Sequence, residues 1–250
     1  MEVLVGPHAV RAALRAGRRR VHRVYVGHHR SPRPEIQEIG ALCRQLGIPI
    51  ESTSPTRLGH LAGGMPHQGI AAQVGPYPLV PIEAVLEVAR IREKLPLLLA
   101  LDGVQDPHNL GAILRTADAV GVHGVILPAD RVASVTPTVS RVSAGAAEYL
   151  RVSQCVNLVR TLRQMKDEGL WIVGVEQHPD AQNLWHIAFD MPTVLVLGSE
   201  GGGMRRLTVE TCDILASIPM AGHVSSLNVS VAASLALYAA ARGQAESKSK

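Results

Sequence analysis

Short apolar runs alternate with segments of helical periodicity along most of the chain. In the first 75 residues, the second helical segment has apolar residues three or four positions apart and stops at Gly47. The predicted helices of this part are residues 8–16 and 34–46, and the predicted strands are residues 3–5, 24–26, 48–51 and 69–74. This alternation predicts a compact α/β unit.

A second and stronger series begins after a linker marked by Pro76, Pro78 and Pro81, since proline interrupts both kinds of periodic structure. Residues 82–93 predict an amphipathic joining helix. The predicted strands that follow are residues 97–101, 124–127, 171–175, 193–197 and 214–218, with helices at 109–120, 157–168 and 207–212. Continuous apolar strands alternating with helices are typical of a parallel sheet covered on both faces, which binds ligands at the carboxyl ends of its strands. The predicted fold class is therefore α/β.

The last helix is unusual because small and apolar residues occupy every side of it. Its predicted first turn, residues 225–228, contains serines and an asparagine that can cap backbone N–H groups, and residues 229–240 are nearly all apolar. A helix that is apolar all round is buried on all sides. We therefore expect it to pack into an unusual interior or against a partner subunit, with an ordinary core helix as the alternative.

Composition limits the class of protein. A chain of 250 residues, 46% of them hydrophobic, can form one large domain or two small ones. It has no apolar run of about 18 residues that would predict a membrane span, and residues 1–20 lack the apolar segment of a secretory signal. Three widely separated cysteines predict neither a disulfide framework nor a metal site, so we expect a reduced, cytoplasmic setting. The histidines show no metal-binding spacing either, and no metal is expected.

Positive charge is concentrated at one end of the chain. Residues 1–34 contain eight arginines and one glutamate, a balance of +7, which leaves −3 for the other 216 residues of a chain with a net charge of +4. Such an asymmetry suits binding to a phosphate backbone, although a merely solvated basic face would look the same. The candidate residues for contact with a nucleic-acid backbone are Arg11, Arg15, Arg18, Arg19, Arg20 and Arg23. His67 is a further candidate, with a solvated loop as the equal alternative at that position.

Three segments after predicted strands carry the candidate chemistry: LDGVQDPHNLGAILRTA at residues 101–117, VLVLGSEGGGM at 194–204, and IPMAGHVSSLNVSVAASLALY at 218–238. The glycines of residues 198–203 allow backbone to approach a ligand closely. This loop lacks the Lys-Ser/Thr ending of a phosphate-binding loop and the spacing of a dinucleotide-binding one. Taken alone, it predicts only a tight turn.

In this order and spacing, the three segments resemble the motifs of the SpoU (TrmH-like) branch of the SPOUT RNA methyltransferases. The start of the chain resembles the small L30e-like substrate-binding domain of that family, through GPHAV at residues 6–10 and HQGI at 67–70. The resemblance implies an L30e-like domain at 1–75, a linker and joining helix at 76–94, and a catalytic domain with a C-terminal trefoil knot at 95–243. Residues 244–250 are expected to be a disordered tail.

The resemblance also implies a cofactor, S-adenosylmethionine, bound between the glycine loop and the C-terminal turn. The implied cofactor-binding residues are Gly198, Gly201, Ile218, Met220, Leu227 and Asn228. The implied catalytic residues are Arg115, Asn109 and Glu200. A guanidinium with a pKa above ~12 is a poor base, so we expect Arg115 to hold a phosphate and stabilise alkoxide charge. Asn109 would orient the ribose or Arg115, and Glu200 would fix Arg115 or the loop.

The implied function is ribose 2'-O-methylation of a guanosine in 23S ribosomal RNA by a homodimer. A tRNA ribose methyltransferase is the nearest alternative, but such enzymes typically lack the L30e-like domain. Resistance methyltransferases of the same architecture, which modify other rRNA nucleotides, and a catalytically silent RNA-binding protein stay open. A nucleotide-binding oxidoreductase would need the dinucleotide fingerprint that this chain lacks.

Overall fold

The computed structural model describes residues 1–28, 33–91, 95–130 and 132–247. The chain divides into two compact units, the first formed by Met1–Pro78 with Ser134–Tyr149, the second by residues 79–133 and those from 150 onward. None of the helices in these described ranges is long and apolar enough to span a membrane. Residues 134–149 belong to the first unit here, whereas they lie inside the predicted catalytic domain 95–243. The predicted domain boundaries, 1–75 and 95–243, stay a prediction.

The N-terminal unit is a four-stranded sheet with helices packed on it. Its strands lie in the order β1-β4-β2-β3, and only the β2–β3 pair is parallel. The buried apolar side chains of β1, α1, β2, α2 and β4 form one core. The elements are β1 Glu2–Val5, α1 Pro7–Ala16, β2 Val21–Gly27, α2 Pro34–Leu46, β3 Ile50–Thr53, α3 Pro55–Leu61 and β4 Ile70–Val74.

Sequence periodicity predicted all of these elements except α3. This helix has seven residues and a single buried position, Leu58, so it shows no apolar stripe. Local chemistry marks it instead, because the Ser54 hydroxyl accepts a hydrogen bond from the backbone N–H of Arg57, and Pro55 occupies the first helical position.

The segment 134–149 joins this unit through a buried ion pair. It contains α6, Pro137–Val142, and a 3-10 turn at Ala146–Glu148. The guanidinium of Arg19, fully buried, donates to the Glu148 carboxylate at 3.1 Å, to the Gly75 carbonyl at 2.8 Å and to Glu2. Arg19 was predicted to bind RNA, and this prediction is wrong for the folded unit, because its side chain has no exposed surface.

The second unit is built on a seven-stranded sheet in which every described strand pair is parallel. The strand order is β7-β6-β5-β10-β8-β11-β9. This confirms the predicted parallel α/β fold. The elements are α4 Ile82–Ile91, β5 Leu97–Asp102, α5 Pro107–Val120, β6 Gly124–Pro128, β7 Val152–Cys155, α7 Leu158–Asp167, β8 Trp171–Val175, β9 Gln182–Asn183, β10 Thr193–Gly198, α8 Arg206–Thr211, β11 Ile214–Ser217 and α9 Val229–Ser247.

The edge strands β7 and β9 of this sheet, and the helix α6 of the first unit, were not predicted. Each is six residues or shorter, and the edge strands carry exposed polar side chains. A search for continuous apolar runs therefore does not detect them. The joining helix was predicted over 82–93, and its last two residues lie outside the described ranges.

The last helix, α9, packs on α5 and β10 and differs from its prediction at both ends. It begins at Val229, and the predicted first turn 225–228 is irregular. At the other end it continues to Ser247, through most of the predicted tail. It also has one exposed apolar side, where Val231 and Tyr238 are 47% and 59% exposed. The chain itself therefore leaves this side of the helix uncovered, and both the partner subunit and the knot stay predictions.

The Arg19 network predicts a large loss of stability on substitution. Arg19→Ala leaves the Glu148 carboxylate buried without its ion-pair partner, which costs about 3–5 kcal/mol. Arg20→Ala, at the adjacent exposed position, should change the free energy of unfolding by less than about 0.5 kcal/mol. Urea titration followed by circular dichroism measures both, and equal effects of the two substitutions would contradict a structural role for Arg19.

Candidate functional site

The carboxyl ends of β5 and β10 meet at one point of the sheet, because the two strands are parallel neighbours. Asp102, the last residue of β5, pairs in register with Gly198, the last residue of β10. The two loops that follow, which carry the first two sequence motifs, therefore leave the sheet side by side. The crevice between them is where ligands bind in open α/β sheets.

Three side chains, one from each motif, are joined by hydrogen bonds above this crevice. The Asn109 amide donates to Glu200 at 3.0 Å, and the Asn228 amide donates to Glu200 and to the Asn109 carbonyl oxygen, both at 3.1 Å. We call Asn109, Glu200 and Asn228 the motif triad. The sequence predicted all three as site residues, but it did not predict their bonds to one another.

Local structure positions the members of the triad. The Asp106 carboxylate caps α5 by accepting hydrogen bonds from the backbone N–H groups of His108 and Asn109, which holds Asn109 in the first turn. The Asn228 side-chain oxygen accepts from the Ser230 N–H and so caps α9. Each asparagine therefore stands at the start of a helix, where its amide is held in place.

The glycine loop is closed so tightly that its end glycines are required. A Cβ atom on Gly198 would collide with the backbone of Gly203 and Met204, and one on Gly203 would collide with the Glu176 carboxylate. Gly203 also has a φ of 63°, in the left-handed region that favours glycine. Glu176 accepts the Met204 N–H at 3.0 Å, which fixes the exit of the loop.

A cavity of about 410 Å³ lies between this loop and the turn before α9. Its apolar walls suit an adenine ring, and the carboxylates of Glu176 and Glu200 suit ribose hydroxyls and a sulfonium cation. The residues present therefore fit S-adenosylmethionine. Five of the predicted cofactor-binding residues line this cofactor cavity, and the sixth, Asn228, is bonded to Glu200. The five are Gly198, Gly201, Ile218, Met220 and Leu227.

A second cavity of about 440 Å³, the central cavity, lies on the other side of the glycine loop. It shares Glu200 and Val229 with the cofactor cavity. Its walls are rich in carboxylates, including those of Asp106 and Asp130. Such a lining favours hydroxyl and amino groups over phosphates.

Sequence reasoning missed an ion pair at the base of the central cavity. The buried Asp102 carboxylate accepts from the Arg205 backbone N–H at 3.0 Å and from its guanidinium at 2.7 Å. The pair ties the end of β5 to the end of the glycine loop. A carboxylate that directly follows an apolar strand was the available signal, because a buried charge requires a partner.

Arg115 is the one predicted catalytic residue that the chain does not bring to this site. It lies six residues beyond Asn109, which turns its side chain about 240° around α5. The side chain is exposed, has no hydrogen bond or ion pair with any described residue, and lines neither cavity. The expected contacts from Asn109 or Glu200 to Arg115 are absent from the described part of the chain. Asn109 and Glu200 bond instead to each other and to Asn228.

The arginines predicted to bind RNA lie in the N-terminal unit in three different environments. Arg19 is buried, and Arg18 is half-buried, donating to the carbonyls of Pro78 and Glu148. Arg20 is exposed and has no side-chain partner among the described residues. Arg15 and Arg23 form exposed ion pairs with Glu38 and Glu51, and Arg11 forms a half-buried ion pair with Glu38.

The ring of His67 takes part in a turn, and the three cysteine thiols are protonated. The ring of His67 accepts a hydrogen bond from the Gly69 N–H at 3.1 Å and so stabilises the turn before β4. Burial raises the pKa of the Cys212 thiol to about 12 and raises the pKa of Cys43 and Cys155, so all three stay protonated at neutral pH. The described residues contain no group of three potential metal ligands.

Two family models together cover most of the chain. The SpoU rRNA Methylase family model matches residues 96–238, and the model described as RNA 2'-O ribose methyltransferase substrate binding matches residues 3–80. The first match contains the motif triad and both cavities, and the second contains the arginine-rich start.

Individual relatives agree with these models. The chain is 46% identical over 237 residues to the 23S rRNA (guanosine-2'-O-)-methyltransferase RlmB of Pseudomonas aeruginosa, covering 95% of this chain and 94% of the relative. It is similar to the SpoU methyltransferase AviRb of Streptomyces viridochromogenes, solved with AdoMet, with a TM-score of 0.80 and 26% identity over 98% of this chain and 90% of that one. An A. aeolicus TrmH/SpoU tRNA modifying enzyme gives a TM-score of 0.57 and 33% identity over 67% of this chain and 84% of that one.

These similarities confirm the predicted enzyme class, a methyltransferase, and the predicted cofactor, S-adenosylmethionine. All three motifs lie within the residues that the SpoU rRNA Methylase family model matches. The chain belongs to the SpoU rRNA methylase family.

Proposed function

We propose that the protein methylates the ribose 2'-hydroxyl of a guanosine in 23S ribosomal RNA. The observation that carries the proposal is the motif triad, which stands between a cavity that fits the cofactor and a second cavity open to a substrate. The 46% identity to a 23S rRNA guanosine methyltransferase over 95% of the chain supports this substrate. The N-terminal match to a ribose-methyltransferase substrate-binding domain supports RNA as the partner.

The cofactor cavity would hold S-adenosylmethionine, which supplies an activated methyl group when bound. Gly198 and Gly201 would let the loop backbone approach the cofactor, while Ile218, Met220 and Leu227 would enclose its apolar parts. Glu200 faces both cavities. Its negative charge there would favour a sulfonium on one side and accept a hydrogen bond from a ribose hydroxyl on the other.

The central cavity would receive the target nucleotide. Its carboxylates offer acceptors to the donors of a ribose and of a guanine, whereas they would repel a phosphate. Because both Glu200 oxygens already accept amide hydrogen bonds from Asn109 and Asn228, the carboxylate is held in one orientation. We therefore assign Asn109 and Asn228 the task of positioning Glu200 toward the ribose.

Arg115 would act in a site completed by a second copy of the chain. It is exposed on α5, beside the helix α9 whose Val231 and Tyr238 form an exposed apolar side. The two helices are held together by the Thr116–Ser234 hydroxyl contact at 3.0 Å. A homodimer formed through this α9 surface would bury its apolar side and place Arg115 at the interface.

The N-terminal unit would capture RNA through its exposed arginines. Arg20 has no side-chain partner among the described residues, and Arg15 and Arg23 hold exposed ion pairs, which are weak and can exchange for phosphate contacts. Arg11 is half-buried and shares Glu38 with Arg15, so it would add charge beside them. Arg18 and Arg19 are excluded from this role because their guanidinium groups bond within the unit. The cytoplasmic location stays a prediction.

The substrate assignment predicts a specific product. Incubation of the protein with S-adenosylmethionine and transcribed 23S rRNA should give one 2'-O-methylated guanosine, detected by resistance of its 3' phosphodiester to alkaline cleavage. Transcribed 16S rRNA and total tRNA serve as controls and should remain unmodified. Methylation of tRNA in place of 23S rRNA would contradict the proposal and favour the tRNA alternative.

The cofactor assignment predicts opposite outcomes for two glycines. Gly198→Ala puts a Cβ against the backbone of Gly203 and should distort the loop, lowering the affinity for S-adenosylmethionine by a hundredfold or more, about 2.7 kcal/mol. Gly222→Ala is the matched control, because that position has open space and no left-handed φ. Calorimetric titration measures both. Normal affinity in the Gly198 variant would refute this placement of the cofactor.

The shared-site assignment predicts rescue between two inactive variants. Arg115→Ala should bind S-adenosylmethionine normally yet lose methyl transfer by orders of magnitude, and Gly198→Ala should bind the cofactor at least a hundredfold more weakly. Co-expressed, they should form mixed dimers with one complete site, giving about a quarter of wild-type activity when half the dimers are mixed.

Sedimentation should show a dimer at micromolar concentration, with Val231→Glu and Tyr238→Glu as variants that weaken it. A dimer whose co-expressed variants stay inactive would mean that Arg115 acts within its own chain. A monomeric active protein would refute the interface as well.

A further inference from the structure

A groove of about 790 Å³ continues the site along the carboxyl edge of the sheet, on the side away from the cofactor cavity. Its walls come from the ends of β6 and β7 and from the first turns of α7 and α8. Asp130 and Arg205 line both this groove and the central cavity. We call it the arginine groove, after Arg163, Arg205 and Arg206.

The three guanidinium groups of the arginine groove differ in how firmly they are held. Arg163 is exposed and has no ion pair or hydrogen bond with a described side chain. Arg206 pairs with Glu210 on the surface, where an ion pair is weak and a phosphate can compete for the guanidinium. Arg205 is anchored by Asp102, and a guanidinium has five N–H donors, so some remain for a ligand.

Apolar side chains lie among these arginines. Val156, in the turn between β7 and α7, is 96% exposed, and Leu207 is 51% exposed. Thr208 is buried beneath them, and its hydroxyl has no hydrogen-bond partner among the described residues, a condition that is rare unless a ligand or water satisfies the group. Guanidinium groups interleaved with exposed apolar side chains suit a single nucleic-acid strand, which presents phosphates and base faces in turn.

The charges of the two neighbouring spaces are opposite in character. Carboxylates dominate the central cavity, whereas Asp130 is the only carboxylate residue among the described residues that line the arginine groove. A strand whose ribose enters the central cavity must place the adjoining phosphates outside that cavity. The arginine groove is the adjoining space with guanidinium donors.

We propose that the arginine groove binds the phosphodiester backbone of the RNA nucleotides next to the methylated one. The proposal rests on the proposed function and deepens it, because it gives the catalytic unit its own RNA contact, separate from the arginines of the N-terminal unit. The Arg163 guanidinium has no described side-chain partner, and that of Arg206 can exchange Glu210 for a phosphate. Arg205 would bind the strand where the groove meets the central cavity.

The test compares Arg163→Gln/Arg206→Gln with Arg242→Gln as a matched control. Arg242 is also exposed, but it lies near Gln244, which bonds to the carbonyls of Pro96 and Met191 before β5 and β10, at the opposite edge of the sheet. Affinity for transcribed 23S rRNA is measured against potassium chloride concentration. The double variant should bind at least tenfold more weakly, and its log–log salt slope should fall by about 0.7 for each lost contact.

The control should keep the wild-type affinity and slope. Methylation by the double variant should show a raised KM for RNA with kcat within about twofold of wild type, and an unchanged affinity for S-adenosylmethionine. Arg163→Lys/Arg206→Lys keeps both charges and should recover most of the affinity, which separates charge from any effect on folding.

An RNA affinity and salt slope equal to those of the control would overturn the proposal. So would a defect seen on ribosomal precursor particles but not on deproteinised RNA, because that result would identify a protein partner. If the proposed function itself is wrong, the wild-type protein will not methylate 23S rRNA, and this result is distinct from a loss of RNA affinity in the double variant.

Discussion

The parallel pairing of β5 with β10 is the constraint on which the functional half of this protein depends. It sets Asp102 opposite Gly198, so two segments far apart in sequence leave the sheet at one point. The hydrogen bonds from Arg205 to Asp102 and from Asn109 to Glu200 then join residues 103 and 91 positions apart. The pairing brings these two loops within side-chain reach of each other, because neighbouring strands lie only about 4.8 Å apart.

The helix α9 connects this site to the proposed assembly. The start of this helix closes the site, since its capping residue Asn228 bonds to both other members of the motif triad, while Val229 lines both cavities. One side of the same helix leaves Val231 and Tyr238 exposed. A helix that closes a site on one side and offers an apolar surface on another would couple the proposed dimer to the site.

Arginine has several distinct uses in this chain, and net charge does not separate them. Arg19 is a buried structural cation, Arg205 is anchored by a buried carboxylate, and Arg20 is exposed. The balance of +7 in residues 1–34 counts the first and third alike. Burial and partners decide which arginine can exchange its contacts for a phosphate, because a fully desolvated guanidinium cannot leave its carboxylate without a large cost.

The sequence by itself determined the α/β class, most helices and strands, the family, the cofactor and the residues of the motif triad. These follow from apolar periodicity and from motifs, and both are local properties of the chain. Tertiary structure decided which of those residues touch: it joined Asn109, Glu200 and Asn228, added Asp102 and Arg205, buried Arg19 and left Arg115 outside the site. The physical reason is that burial and ion pairing depend on neighbours distant in sequence, which only the packing of strands and helices brings together.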